Sequence, residues 1–168
     1  MLPETLLAFA RYHAWANDRI LRRSAEISDG ELREAADLDH GTAFDTLRHL
    51  IDVNWSWREF CVGNDVGDGY VWDLGYALDD VAAVHAFSVE DDAVLYAYLG
   101  TLDETALAAV LRVSDDFSSP RWLILMHLLN HATQHRTEMA RYLTDRGHSP
   151  GDLDLLDAFA FPVPAGDP

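Results

Sequence analysis

The chain has 168 residues, 49% of them hydrophobic, and a formal net charge of −17 at pH 7. This length predicts a single domain, residues 1–168, that is large enough to bury a substantial core. The negative charge disfavours nucleic acids and anionic membrane surfaces as partners. All twelve basic residues are arginines, and the lack of lysine excludes Schiff-base and P-loop chemistry that depends on a lysine amine.

The single cysteine, Cys61, rules out a disulfide within the chain and is typical of a reducing compartment. A lone cysteine on an apolar helix face is usually a small hydrophobic residue, although a nucleophilic role is the alternative. The sequence contains neither a signal-like N-terminus nor an apolar run of the roughly 18 residues that a membrane span requires. We therefore expect a soluble, cytoplasmic protein.

Helical spacing of apolar residues predicts four long helices. Their expected ranges are residues 4–25, 43–62, 89–102 and 119–146. The connection at 63–87 is rich in glycine and aromatic residues, and long loops of this kind usually cover a site or form an interface. Leucines after Gly147 predict a short C-terminal tail that packs on the helices. With no clear strand alternation, the pattern predicts an all-α, four-helix bundle with long connections.

The last predicted helix carries three histidines, His127, His131 and His135, at intervals of four residues. Residues four apart on a helix are surface neighbours, so two imidazoles at this spacing can bind one metal ion. His135 falls in the apolar stripe with Leu128 and Met139, and His131 lies beside it. A metal inside the bundle would therefore use His131 and His135, whereas His127 lies at the rim with no assigned role. The alternative is that all three are ordinary packed or solvated histidines.

The second predicted helix carries His49 at the edge of its apolar stripe, where it can meet His131 and His135 if the two helices are neighbours. Three histidine ligands leave coordination positions open, which is typical of catalytic rather than structural metal sites. Asp45 and Asp52 follow helical spacing from His49, so either could hold its second ring nitrogen, or both could be solvated. Imidazole ligands suit several transition metals and do not identify the ion.

Four motifs then resemble the DinB/YfiT-like family of metal-dependent four-helix proteins, and together they span nearly the whole chain. They are YHAWAN at 12–17, TLRHL at 46–50, NHATQHR at 130–136 and LTDRGHSPGDLDLLD at 143–157. The resemblance implies a divalent metal held by His49, His131 and His135, with water or substrate completing the shell. It also implies a homodimer, and relatives that include transferases and isomerases dependent on low-molecular-weight thiols.

One departure from the family pattern lies next to the expected ligands. Members often continue His-Arg-Gly-Gln where this chain has His135, Arg136, Thr137 and Glu138. Thr137 stands where members have a glycine, which would permit close approach of a helix or a substrate. Glu138 replaces a neutral amide with a charge. Glu138 could orient a ligand, act as a general base or simply belong to the acidic surface. The change disfavours the thiol substrate that the resemblance implies.

The sequence therefore predicts a divalent-metal-binding protein, and an enzyme of transferase or hydrolase type that acts on a small molecule, with a low-molecular-weight thiol as a candidate. Zinc and nickel are the first candidates for the metal, with manganese and iron as alternatives. The catalytic residues are unknown, and Glu138 and Asp52 are the candidates. The alternative function is a non-catalytic metal-binding protein, or a dimeric protein of interaction or stress response.

Overall fold

The computed structural model describes residues 3–67 and 69–159. Four long helices form a bundle, which confirms the predicted all-α fold. They are α1 (Pro3–Ser24), α3 (Ala43–Val62), α4 (Val81–Leu99) and α6 (Arg121–Asp145). Helix α1 packs against α4 and α6, and α3 packs against the same two helices. Helices α3 and α6 are therefore neighbours, as the predicted metal site requires.

Short elements occupy the connections between the long helices. They are the helices α2 (Asp29–Leu32) and α5 (Glu104–Ala108), the strands β1 (Val110–Arg112) and β2 (Ser118–Pro120), and 3-10 turns at Val71–Leu74 and Asp157–Phe159. Strands β1 and β2 pair antiparallel, with Leu111 opposite Ser119. The sequence did not predict this hairpin, because each strand has only three residues and no alternation is visible over so short a run.

Helix α3 has a local signal at each end. The Thr42 side chain accepts a hydrogen bond from the Asp45 N–H at 3.0 Å, which satisfies one of the free amides of the first turn. At the other end, Gly63 adopts a left-handed conformation, φ 105°, that a glycine reaches without a Cβ clash. These signals explain why the range predicted from the sequence, 43–62, agrees with the structure.

The starts of two long helices differ from the predicted ones. Helix α4 begins at Val81 rather than at 89, because Asp80 caps it by accepting from the Ala83 N–H at 2.8 Å. It ends at Leu99, before the predicted end at 102, and Ser88, which precedes the predicted start, is buried inside the helix. Helix α6 begins at Arg121 rather than at 119, since Ser118 to Pro120 pair with β1 instead. A cap further upstream and pairing with a second strand thus set these two starts.

The bundle interior has two apolar clusters separated by a layer of buried polar side chains. At the centre of this layer, Nδ1 of His13 accepts from Arg136 Nη1 at 3.2 Å, and Nε2 lies 2.9 Å from the side-chain amide nitrogens of Asn17 and Asn54. Burial lowers the pKa of His13, which favours the neutral ring that accepts from Arg136. Arg136 Nη1 donates to Asn17 Oδ1 at 2.9 Å, so Asn17 has the partners that its place in the core demands.

The C-terminal tail packs on the bundle as far as the structure describes it. The Tyr12 hydroxyl donates to the Leu153 carbonyl at 2.9 Å, and Arg19 Nε donates to the Pro150 carbonyl at the same distance. The residues of the predicted tail beyond 159 lie outside the described part of the chain. Among the described helices, none combines the length and apolar character needed to cross a bilayer.

Candidate metal centre

Helices α3 and α6 bring the three predicted ligands together at one position. Nε2 of His131 lies 3.3 Å from Nε2 of His49 and 3.2 Å from Nε2 of His135. His135 is buried and the other two side chains are half-buried. The spacing of four residues on α6 sets the second contact, whereas the packing of α6 against α3 sets the first. Whether these histidines bind a metal remains a prediction from the sequence.

Both distances from Nε2 of His131 fit nitrogens that bind one ion. In a tetrahedral shell with Zn–N bonds of about 2.0–2.1 Å, two ligand atoms are separated by roughly 3.3 Å. Hydrogen bonding accounts less well for the arrangement, because a neutral imidazole has a single N–H to share. Nδ1 of His131 is buried and has no hydrogen-bond partner among the described residues. The donor set therefore fits a transition metal that accepts imidazole ligands.

The surroundings favour the neutral forms of His49 and His131. Burial, followed by repulsion from His40, His135 and His131, lowers the pKa of His49 to about 4. Burial, followed by repulsion from the neighbouring histidines, also lowers the pKa of His131 to about 4. At neutral pH both rings therefore offer a free lone pair, the form that a metal ligand must have.

Glu138 lies behind the cluster on α6. Its Oε2 is 2.9 Å from Nδ1 of His135, so the carboxylate accepts the Nδ1–H of the ring. This contact places the lone pair of His135 on Nε2, the atom that faces His131. A carboxylate behind a ligating histidine commonly fixes the tautomer and ring orientation in metal sites. The geometry thus gives Glu138 the orienting position that the sequence left open.

His40 is a member of the cluster that sequence reasoning missed. Its ring stacks on His49, with centroids 3.7 Å apart, and meets His135 edge-on at 5.1 Å. His40, His49 and His135 each offer a ligand atom within 4.8 Å of the others, so they form a second candidate set of three histidines. A further set, from Asp39, His135 and Glu138, lies at the outer edge.

No helical period could have identified His40, because it lies in the connection before α3. The chain is held there by a bridge between Ala35 and Thr42 and by a left-handed turn at Gly41, φ 77°. The one sequence signal for His40 was its position shortly before Thr42, the residue that caps α3. Burial lowers the pKa of His40, which makes its neutral form available as well.

The aspartates near His49 do not hold its ring. Oδ1 of Asp52 accepts from the Val71 N–H at 2.7 Å, and Asp45 accepts from the Thr42 hydroxyl at 2.7 Å. Burial raises the pKa of Asp52, partly opposed by the hydrogen bond from Val71. Asp52 therefore anchors the connection between α3 and α4 to the bundle, and this contact does not involve His49.

The same connection supplies aromatic side chains to the site. Tyr70 and Trp72 stack with centroids 4.5 Å apart and an angle of 9° between the rings. Both line a cavity of about 360 Å³ that also reaches His40 and His49. Part of the aromatic connection that the sequence predicted to cover a site or form an interface thus lies beside the histidines. A cavity of this size suits a small molecule.

Two other residues singled out in the sequence lie away from the centre. His127 is exposed, and its ring meets Trp57 edge-on at 5.5 Å, one turn before His131. Cys61 is buried, and burial raises the pKa of its thiol to about 12. Such a thiol is protonated at neutral pH and is a poor nucleophile, in agreement with its expected role as a small hydrophobic residue.

The likeness to a known family extends beyond the histidines. A search of curated proteins finds no match. The sequence profile of the DinB family, in contrast, matches residues 1–161. This match includes the helices that carry His49, His131 and His135, and it leaves only the last seven residues uncovered. The four-helix bundle and the histidine cluster therefore occur in a chain that belongs to the DinB family.

Proposed function

We propose that this protein binds one divalent transition metal through His49, His131 and His135 and acts as a metal-dependent enzyme on a small molecule. The observation that carries the proposal is the convergence of three Nε2 atoms at 3.2 and 3.3 Å. Family membership is compatible with metal binding, and so is the cluster of His40, His49 and His135, which shares two residues with the proposed ligand set. Zinc and nickel are the first ions to test, followed by manganese and iron.

The chain's own residues prepare the site for such an ion. Glu138 fixes the orientation of His135 through the 2.9 Å contact with Nδ1. The low pKa values of His49 and His131 keep their lone pairs free. The stacked Tyr70 and Trp72 line one side of the cavity. When bound, the ion supplies Lewis acidity, which favours the ionised form of a substrate thiol or of water.

We assign the reaction to the transferase or hydrolase type. Three histidine ligands leave a coordination position for substrate, and the cavity beside His49 offers room for it. The buried, protonated Cys61 supplies no nucleophile, so the reacting thiol or water must come from solution. Low-molecular-weight thiols and hydrolysable esters are therefore the first compounds to screen with the metal-loaded protein.

A non-catalytic metal-binding role is the second candidate function. It is favoured by His40, which adds a fourth imidazole beside His49 and His135. A tetrahedral ion held by four histidines has no open position, as in structural metal sites. The two roles therefore differ in whether His40 contributes to the binding of the ion.

The first experiment is elemental analysis of the protein purified without a histidine tag. The test variant replaces His49, His131 and His135 by alanine, and the matched control replaces His85, His127 and His148. We expect about one metal per chain in the native protein and in the control, and none in the test variant. Absence of bound metal in the native protein after incubation with zinc, nickel and manganese salts would refute the proposal.

A further inference from the structure

The cavity beside the histidines contains an arginine that sequence reasoning did not single out. Arg48 precedes His49 on α3, and both side chains line the cavity of about 360 Å³. A small molecule that enters this cavity can therefore contact the guanidinium of Arg48 and also approach the candidate metal site.

The Arg48 guanidinium lies over the ring of Trp72. Its guanidinium carbon lies 3.8 Å from the centroid of the Trp72 ring, and Trp72 in turn stacks on Tyr70. Stacking on an aromatic face occupies the flat side of a guanidinium and leaves its N–H edge available. Nε of Arg48 is buried and has no hydrogen-bond partner among the described residues. The stacking on Trp72 thus positions Arg48, and its Nε–H has no acceptor among the described residues.

Arg48 also lacks a carboxylate partner, although acidic residues are abundant. Seven of the arginines in the described part of the chain form an ion pair with an aspartate or glutamate. Asp45 and Asp52 flank Arg48 at helical spacings that usually favour such pairs. Both instead bind elsewhere, Asp45 to the Thr42 hydroxyl and Asp52 to the Val71 N–H. Within residues 3–67 and 69–159, Arg48 has no ion pair.

We propose that Arg48 and Trp72 form a subsite for the carboxylate of a small-molecule substrate whose other end faces the histidines. A guanidinium edge matches the two oxygens of a carboxylate and binds them through charge-assisted hydrogen bonds. Arginine also binds phosphate through charge-assisted hydrogen bonds, but Asp45 and Asp52 in the cavity wall disfavour a dianion more than a monoanion. The subsite rests on the proposed function, because it names the class of substrate that the metal site receives.

The test compares two ligands that differ only in charge. The zinc-loaded protein is titrated calorimetrically with 3-mercaptopropionate and with its neutral amide, in the wild type and in Arg48→Gln. We expect the wild type to bind the carboxylate at least about tenfold more tightly than the amide, since charge-assisted hydrogen bonds are the stronger class. Arg48→Gln should lose this preference while its affinity for the amide stays the same. Arg112→Gln, which removes an exposed arginine in β1, is the matched control and should retain the preference.

A second measurement separates this subsite from the metal site. In the metal-free protein, propionate should shift the NMR signal of the Trp72 indole N–H, identified by Trp72→Phe, and Arg48→Gln should abolish that shift. If zinc does not bind but the shift occurs, the proposed metal function fails and the subsite stands. An equal preference for carboxylate in wild type and Arg48→Gln, failure of the carboxylate to bind, or tighter binding of inorganic phosphate would overturn the proposal.

Discussion

Nε2 of His49 and Nε2 of His131 lie 3.3 Å apart, although 82 positions separate these residues in the chain. The contact crosses the interface between α3 and α6, so its distance reports how those two helices pack. His131 and His135 would remain neighbours on an isolated helix. The third nitrogen, from His49, joins them only in the folded bundle. Formation of the candidate metal site is therefore coupled to the packing of the two helices.

The first prediction concerns the loss of His49. We expect His49→Ala to weaken zinc binding by more than about 100-fold, because even a residue behind a ligand typically contributes about 10–100-fold. His127→Ala, which removes an exposed imidazole on α6, should leave the affinity unchanged. Competition with a chromophoric chelator measures both, and circular dichroism checks that each variant keeps its helices. Equal affinities in the two variants would exclude His49 as a ligand.

The second prediction concerns Glu138. Glu138→Gln removes the charge that accepts the Nδ1–H of His135, so His135 becomes a weaker and less well oriented ligand. We expect zinc affinity to fall about 10–100-fold, while the stoichiometry remains one ion per chain. Asp145→Asn, at an exposed position on the same helix, is the matched control for loss of one negative charge. A similar decrease in both variants would indicate a general electrostatic effect.

The third prediction separates the two candidate functions. His40 stacks on His49 through its ring face, so we expect His40→Ala to change zinc affinity by less than about threefold, well below the effect of removing a group that supports a ligand. A chelator competition measures this, and the absorption spectrum of the cobalt-loaded protein shows whether the coordination geometry changes. A loss of tenfold or more, with an altered spectrum, would identify His40 as a ligand and favour the non-catalytic role.

The fourth prediction concerns the pH dependence of the metal-free protein. The pKa of His131 is lowered from 6.5 to about 4 in the folded state, so between these values the unfolded state binds more protons. The free energy of unfolding therefore decreases as the pH falls from 6.5 to 4. His131→Asn lacks this contribution and should lose less stability over the same range. Urea denaturation at pH 7 and pH 4.5, with a chelator present, provides the comparison, and parallel losses would contradict the assignment.

The fifth prediction concerns a buried ion pair between α3 and α4. Arg58 Nε donates to Asp91 Oδ1 at 2.9 Å, and both side chains are buried. Asp91→Ala removes one of the two carboxylates that pair with Arg58 and leaves Glu59 as the other, which should reduce the free energy of unfolding by about 1–3 kcal/mol. Asp115→Ala breaks the exposed pair with Arg112 and should have no measurable effect. Chemical denaturation of both variants tests this, and similar stabilities would mean that Arg58 finds another partner.

Much of the fold could be predicted because its signals are local. The cap at Thr42 and the left-handed Gly63 fixed the ends of α3, and the apolar spacing marked the other long helices. The start of α4 was missed because its Asp80 cap lies within 63–87, the stretch predicted to be a connection. The β1–β2 hairpin was missed because its pairing, such as Leu111 with Ser119, depends on residues brought together by the turn between them.

The candidate site likewise combines contacts that local sequence predicts with contacts that only the tertiary structure forms. The sequence by itself determined that His131 and His135 are neighbours, because four residues make about one helical turn. Only the tertiary structure decided that His40 joins them, that Trp72 stacks on Arg48, and that Asp52 turns away to the Val71 N–H. These contacts link segments that have no fixed spacing in the chain. Their geometry follows from how the connections close over the packed helices, and no local period encodes it.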